Sequence, residues 1–148
     1  MLKDCQTVRM KVHVKWIDHT GFVAETGSGH TVVMDAPPDH GGRNLAARPM
    51  EMILVGLGGC SAFDVVEILK KSKQSIADCQ VAIEAERADA VPAVFTKIHM
   101  HFVICGAQLN TKHVKRAVEL SVDKYCSVAM MLRNTVDISY EFEILENK

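Results

Sequence analysis

A long apolar segment interrupted by glycines constrains the fold of this chain more than any other feature. Apolar or small side chains recur there at the 3.6-residue spacing of an α-helix. They are Met50, Ile53, Leu54, Leu57, Ser61, Val65, Ile68 and Leu69. The pattern predicts one helix from about Pro49 to Lys73. At 1.5 Å per residue it is about 36 Å long, so it crosses a whole domain.

Three glycines, Gly56, Gly58 and Gly59, precede Cys60 inside this helix. Each glycine destabilises a helix by roughly 1 kcal/mol relative to alanine. We therefore expect another backbone or a substrate to come very close to the helix around Cys60. Apolar side chains also cover most of the circumference between residues 52 and 57. A second chain is expected to supply part of the cover, which predicts an intimate homodimer.

Alternation of apolar and polar residues predicts strands on both sides of the helix. Three strands come before it, at Thr7–Ile17, Phe22–Glu25 and Thr31–Asp35, and the even positions of the first are expected to face a core. After it come strands at Cys79–Arg87 and Phe95–Cys105 and a helix capped by Asn110 or Thr111. A shorter helix from Cys126 or Ser127 to about Asn134 and a strand at Val136–Leu145 follow. The order βββ-α-ββ-αα-β predicts an α+β fold with one domain over residues 1–148.

Charge and hydropathy exclude several classes of partner. Seventeen basic residues balance eighteen acidic ones among 148, without a basic run, so we predict no nucleic-acid binding. The most apolar stretch, Met52–Phe63, is shorter than the roughly 20 residues that span a bilayer, which predicts a core helix and no membrane partner. The first residues lack the apolar stretch of a secretory signal, so we expect a cytoplasmic protein with reduced thiols.

Five cysteines stand at positions 5, 60, 79, 105 and 126, without the CxxC or CxxH spacing of zinc sites. Cys79 and Cys105 are interpreted as small buried apolar residues of strands, and Cys5 as a surface residue. His99 and His101 lie two apart on a strand, so they share a face. Because a third ligand at matching spacing is lacking, we predict no metal site, and we also predict no cofactor.

Two cysteine-containing segments resemble one family. The segment Pro49–Ala62 is similar to the helix motif PxELLLxALGxC of the OsmC/Ohr superfamily, the osmotically inducible and organic hydroperoxide resistance proteins. Lys124–Val128 matches the second cysteine motif, and Pro92–Ile98 resembles the strand between them. The resemblance extends from about Val12 to Ile144. It implies an α+β fold in which two chains intertwine, with two long central helices between sheets.

The resemblance also implies a redox site at the dimer interface. In the family, the cysteine matching Cys60 attacks a peroxide, the one matching Cys126 forms a disulfide with it, and a small dithiol or lipoyl-bearing protein restores the thiols. A thiolate is needed, whereas free cysteine has a pKa of about 8.5. A helix beginning at Cys126 would favour its thiolate. The predicted activity is that of a thiol peroxidase for organic hydroperoxides.

Glu51 matches the glutamate of the family motif, which holds an activating arginine. In the organic-hydroperoxide branch that glutamate directly follows the proline, where this chain has Met50, and no activating arginine is assigned here. Glu51 is alternatively an acidic residue of the first helical turn that complements the helix dipole. The alternative function is a non-catalytic dimer that binds a small apolar or acyl ligand or senses redox state.

Overall fold

A computed structural model of the protein describes residues 8–146, which form two compact units divided between Met52 and Ile53. The elements follow the predicted order of three strands, a long helix, two strands, helices and a last strand, so the α+β architecture is confirmed. The predictions of one domain over residues 1–148 and of an intertwined homodimer stay predictions. Cys5, predicted to lie at the surface, is outside the described residues.

The first unit contains an antiparallel meander of β1 (Val12–Asp18), β2 (Gly21–Thr26) and β3 (Thr31–Met34). The expectation that the even positions of the first strand face a core is wrong for the single chain. The side chains of Val12, Val14 and Trp16 are 51–61 % exposed. The period-2 pattern identified the apolar face of β1. Such a pattern cannot indicate whether residues of the same chain pack against that face.

The loop after β3 is organised by one buried carboxylate, that of Asp35. Thr20 Oγ1 donates to its Oδ1 at 2.7 Å, and the backbone N–H groups of Arg43 and Leu45 donate to its Oδ2 at 3.2 and 3.1 Å. A 3₁₀ turn at Pro38–His40 lies within the same loop. Although residues 36–48 form no long element, this carboxylate gives their backbone a defined path.

Helix α1 spans Pro49–Lys71. Glu51 caps its first turn, because Glu51 Oε2 accepts a hydrogen bond from the Arg48 backbone N–H at 2.9 Å. The helix stops two residues before the predicted Lys73, which has a φ of 58°. That left-handed conformation ends the helix before β4 begins at Ser75.

Helix α1 is long and apolar enough to span a bilayer, and 22 % of its most apolar window is buried. The argument from the short stretch Met52–Phe63 was therefore wrong about length, because the helix continues the apolar pattern beyond it. Core helices of proteins without membrane spans meet the same two criteria. The absence of a membrane partner stays a prediction.

The second unit combines α1 from Ile53 onward with a three-stranded sheet and two further helices. Strand β5 (Phe95–Ala107) is central, antiparallel to β4 (Ser75–Arg87) and parallel to β6 (Asp137–Glu146). One face of β5 is buried through Ile98, Met100, Phe102 and Ile104. The buried apolar residues of the two longer helices are Leu57, Val65 and Leu69 of α1 and Val114, Ala117 and Val118 of α2 (Thr111–Leu120). This core fixes the α1 segment that carries Cys60.

A π-helical turn, Ser121–Tyr125, connects α2 to the short helix α3 (Ser127–Leu132). Of the two predicted caps of α2, Asn110 is confirmed, because its Oδ1 accepts from the Lys112 backbone N–H at 2.9 Å. The predicted start of the shorter helix is also confirmed, since α3 begins at Ser127 with Cys126 as its N-cap. The π-helical turn was not predicted, since an i to i+5 ring has no residue signature of its own. Such turns occur frequently at functional sites.

Candidate active site

The two cysteines singled out by sequence lie together in the second unit. The sulfur atoms of Cys60 and Cys126 and a carboxylate oxygen of Asp64 all lie within 4.8 Å of one another. Both cysteines are free thiols, Cys60 half-buried and Cys126 buried. A disulfide has sulfur atoms about 2.05 Å apart, so a small side-chain movement would allow this bond to form.

The spacing of residues along α1 explains how this helix supplies Cys60, Ser61 and Asp64 to the cluster. Cys60 and Asp64 are four residues apart on α1, which places them on one face. Ser61, between them, is buried, and its hydroxyl donates to Cys126 Sγ at 3.2 Å. Ser121 Oγ donates to the Ser61 carbonyl oxygen at 2.9 Å, which ties the π-helical turn to α1.

Cys126 is held from three sides. Its backbone N–H donates to the Ser121 carbonyl oxygen at 2.8 Å, and its sulfur accepts from the Ala129 backbone N–H at 3.4 Å. Burial raises the pKa of the Cys126 thiol, and the hydrogen bonds from Ser61 and Ala129 only partly oppose that effect. The start of α3 does favour the Cys126 thiolate through the Ala129 N–H, as expected, but burial is the larger effect and the pKa is raised overall.

Asp64 was missed as a site residue by the sequence reasoning, which treated it only as the end of an apolar stretch. Its Oδ2 atom is buried and has no hydrogen-bond partner among the described residues. Burial raises the pKa of this carboxyl group, and the Ser121 hydroxyl acts in the opposite direction. The spacing Cys60-x-x-x-Asp64 within a predicted helix was the signal available in the sequence.

The turn before Cys126 is braced by Asp123. Tyr140 Oη donates to Asp123 Oδ2 at 2.6 Å, and Arg133 Nη2 donates to Asp123 Oδ1 at 3.2 Å. Burial, followed by the Asp123 hydrogen bond, raises the pKa of Tyr140 to about 12, so its hydroxyl stays a donor. The strand β6 and the end of α3 thus both hold the π-helical turn that presents Cys126.

An activating cation remains unassigned. Residues 53–146 contain three arginines: Arg87 donates to the Ala93 carbonyl oxygen, Arg133 bonds to Asp123, and Arg116 lines a cavity with Asp123. None of the three donates a hydrogen bond to Cys60. Glu51, the third predicted site residue, belongs to the first unit, where it caps α1. This contact agrees with the alternative interpretation, in which Glu51 is an acidic residue of the first helical turn. Its role in the site stays a prediction.

Two open cavities flank the cysteine-bearing part of α1. The larger, about 830 Å³, is lined by Asp64 together with Phe63, Glu67, Ile68, Lys71, Ser72, Leu120 and Tyr125. The smaller, about 350 Å³, is an apolar groove lined by Leu54, Val55, Gly58, Gly59, Ala62, Val81 and Ile83. Asp64 is thus the cluster residue that lines the larger cavity, whereas the apolar groove runs along Gly58 and Gly59.

The glycines before Cys60 meet only one close neighbour within the second unit. A Cβ at Gly58 would lie 3.1 Å from Ile83 Cδ1, whereas nothing lies within 4 Å of the Cβ positions of Gly56 and Gly59. Within the second unit the close neighbour is thus the Ile83 side chain at Gly58 and not the backbone that was expected, and the approach of a substrate stays a prediction. The other two glycines leave part of the helix backbone open.

His99 and His101 lie on one face of β5, as predicted, beside acidic residues of β6. His99 Nε2 is 3.5 Å from Glu141 Oε1, and His101 Nε2 is 3.7 Å from Glu143 Oε1. These side chains are all more than a third exposed. Such exposed pairs contribute little to stability. The predictions of no metal site and no cofactor stay predictions.

Known proteins resemble this chain over nearly its whole length. Residues 41–141 match the family model of the OsmC-like proteins. Protein YhfA of Escherichia coli strain K12 is 43 % identical over 136 residues, which are 92 % of this chain and 98 % of YhfA. The crystal structure of a hypothetical protein from Aquifex aeolicus VF5 has a TM-score of 0.84 and 26 % identity, covering 96 % of this chain and 100 % of that one. An organic hydroperoxide resistance protein OsmC from Legionella pneumophila shares the fold, with a TM-score of 0.71, 17 % identity and coverage of 92 % and 97 %.

Proposed function

The chain belongs to the OsmC-like protein family, and we propose that it reduces organic hydroperoxides through a dithiol–disulfide cycle of Cys60 and Cys126. The observation that carries the proposal is the approach of the two sulfur atoms to within 4.8 Å. The name of the Legionella relative, an organic hydroperoxide resistance protein, supports the substrate class. This activity would make the protein an enzyme of the thiol peroxidase type.

Cys60 is the attacking residue because it is the less buried of the two thiols. Its thiolate bonds to the terminal oxygen of the hydroperoxide, and the O–O bond breaks to give a sulfenic acid and an alkoxide, which takes up a proton to become an alcohol. Cys126 then attacks the Cys60 sulfur, water leaves, and a disulfide forms. Since the pKa of Cys126 is raised, it remains a thiol until this second step.

The cycle closes when a dithiol reduces the disulfide. A dithiol or lipoyl-type reductant suits a half-buried disulfide, because the mixed disulfide formed first is resolved by the second thiol of the same molecule. The proposed location is the cytoplasm, where such thiols stay reduced.

A homodimer is part of the proposal. Exposed apolar side chains lie on the helix that carries Cys60, where Val55 is 60 % and Phe63 is 68 % exposed. A second copy would cover such surfaces, and large exposed apolar patches mark interfaces. Any activating arginine would come from outside the second unit, either from the partner copy or from the first unit, which contains Arg43 and Arg48.

Turnover of single-cysteine variants tests the activity. Reduced protein, freed of metal with a chelator, is mixed with cumene hydroperoxide and dithiothreitol, and peroxide loss is followed. Cys60→Ser is expected to abolish turnover, because the sulfur that attacks peroxide is gone. In Cys126→Ser, peroxide is expected to oxidise Cys60 to the sulfenic acid, but the intramolecular disulfide cannot form.

Cys105→Ser is the matched control, since Cys105 is a half-buried thiol on β5 outside the cluster. It is expected to turn over like the unmodified protein. Full activity of Cys60→Ser would exclude the proposed role. Dihydrolipoamide is expected to sustain turnover better than a monothiol at equal thiol concentration.

The apolar groove favours a second candidate function, binding of a small apolar or acyl ligand without turnover. Its lining from Leu54 to Ile83 contains neither cysteine. A medium-chain fatty acid that raises the melting temperature, while both cluster thiols fail to react with cumene hydroperoxide, would favour this candidate. A second copy seated on the groove would instead prevent such binding.

A further inference from the structure

Asp64 is the polar group whose chemistry the dithiol cycle leaves unexplained. One of its carboxylate oxygens lies within 4.8 Å of both sulfur atoms, and its Oδ2 is buried without a hydrogen-bond partner among residues 8–146. Leaving a buried acceptor unpaired is unfavourable by about 1–3 kcal/mol, and by more when it is charged. A carboxyl group in that position needs a reason beyond packing.

The surroundings of Asp64 favour its neutral form. Burial raises the pKa of the carboxyl group. The titratable groups that face it are the Cys60 and Cys126 thiols in the cluster and, along the larger cavity, Glu67, Lys71 and Tyr125. A carboxyl group with a raised pKa keeps its proton to a higher pH, which suits it to act as a general acid and, once deprotonated, as a general base.

Both chemical steps of the cycle require a proton to move at this place. Attack on the hydroperoxide releases an alkoxide, which needs a proton. The second step needs a base, because burial keeps Cys126 protonated. The part of the second unit around the two sulfur atoms offers one carboxyl group, Asp64, within reach of both.

We propose that Asp64 is the proton-transfer residue of the dithiol site, giving its proton to the departing alkoxide and then accepting the proton of Cys126. This role rests on the proposed function. In the first step the Cys60 thiolate forms the S–O bond, the O–O bond breaks, and the alkoxide takes the Asp64 proton. The products are an alcohol, a sulfenic acid and an Asp64 carboxylate.

In the second step the Asp64 carboxylate accepts the Cys126 proton as the Cys126 sulfur attacks the Cys60 sulfur. The S–S bond forms, the S–O bond breaks, and the departing hydroxide takes the proton from Asp64 to leave as water. A dithiol reductant then supplies two electrons and two protons. These restore the Cys126 thiol, the Cys60 thiolate and the Asp64 carboxyl group.

The variant Asp64→Asn tests this role, because it keeps the size of the side chain but cannot transfer a proton. Reduced protein is mixed with one equivalent of cumene hydroperoxide and quenched at intervals with dimedone, which traps sulfenic acid. We expect the variant to form the disulfide roughly 100-fold more slowly at pH 7, with sulfenic acid accumulating. The difference from unmodified protein should shrink toward pH 10, where hydroxide deprotonates Cys126 directly.

Two further variants separate proton transfer from structure. Asp64→Glu, which retains a carboxyl group, should recover a large part of the rate. Asp137→Asn makes the same chemical change at an exposed position of β6 and should leave the rate unchanged. Disulfide formation by Asp64→Asn at the unmodified rate, or a rate difference that does not change with pH, would overturn the role of Asp64.

A peroxide-free measurement keeps this inference separate from the proposed function. If cumene hydroperoxide leaves the thiols of unmodified protein intact, the peroxidase proposal fails. The disulfide can then be formed with diamide and reduced with dithiothreitol, where Asp64 accepts the proton of the attacking dithiothreitol thiol and passes it to the departing thiolate. Slower reduction in Asp64→Asn supports proton transfer, and an equal rate excludes it.

Discussion

At Cys126, burial and the start of a helix act on one thiol in opposite directions. Helix α3 has six residues, and its Ala129 backbone N–H reaches the sulfur at 3.4 Å, so its N-terminus offers limited stabilisation of a thiolate. The pKa of the thiol is nevertheless raised, chiefly by burial. The residue is therefore suited to be a resolving thiol, which must stay protonated until its partner has been oxidised.

At Asp35, in contrast, hydrogen bonds outweigh burial, and the pKa is lowered rather than raised. Four hydrogen bonds, the largest effect coming from Thr20, hold the pKa of Asp35 below its usual range. A lowered pKa in the folded state gives stability that is present above the unfolded value of about 3.9 and lost as pH falls below it.

We predict that Asp35→Asn removes this acid sensitivity. The amide directs N–H groups toward the Arg43 and Leu45 donors, so the loop of residues 36–48 is destabilised at pH 7. Hydrogen exchange of the Arg43 and Leu45 backbone amides measures the effect, which should be largest at pH 7 and should begin to decline only as the pH falls below about 4 toward the lowered pKa of Asp35. Equal protection of the two proteins at pH 7 would show that the carboxylate does not organise the loop.

Among the elements, the π-helical turn Ser121–Tyr125 has the most direct bearing on the site. It replaces an ordinary helical connection between α2 and α3 and delivers Cys126 to the face of α1 that carries Cys60 and Asp64. Asp123 of this turn is held by Tyr140 and Arg133. The element is therefore fixed by contacts from outside the turn.

We predict that Tyr140→Phe loosens the turn, since it removes a hydrogen bond to a carboxylate. The free energy of unfolding should fall by about 1–2 kcal/mol, measured by urea denaturation. Formation of the Cys60–Cys126 disulfide should also slow several-fold.

Ser139→Ala serves as the control, because it removes a β6 hydroxyl that bonds to His99 at 2.8 Å on the exposed face of the sheet. The control should affect the disulfide rate little. A Tyr140→Phe variant that loses stability without any change in disulfide rate would show that the turn does not position Cys126.

At the scale of the whole molecule, periodicity predicted the elements well because each buried face follows a simple repeat. The predicted cap at Asn110 and the predicted helix start at Cys126 or Ser127 depend on neighbouring residues only and were confirmed. The cluster of Asp64 with the two thiols depends on the π-helical turn, which has no local signature, so the spacing Cys60-x-x-x-Asp64 could place Asp64 beside Cys60 but not beside Cys126. The exposed face of β1 was misjudged because a sequence pattern does not say which chain covers it.

We predict that the protein is a dimer and that Val55→Glu on α1 makes it monomeric, because the added charge would be buried in the interface. Light scattering coupled to gel filtration measures the mass. Val91→Glu, at a fully exposed loop position, is the matched control and should remain dimeric. A monomeric unmodified protein at micromolar concentration would contradict the prediction.

The most direct test of the dithiol is a peptide map after one equivalent of cumene hydroperoxide has reacted with the reduced, metal-free protein. We predict a disulfide between Cys60 and Cys126 of one chain, with Cys79 and Cys105 still reduced. The pKa of Cys79, raised to about 11 chiefly by burial, keeps that thiol unreactive at pH 7. Recovery of Cys60 and Cys126 as free thiols, or of Cys60 as a sulfinic acid without the disulfide, would contradict the account.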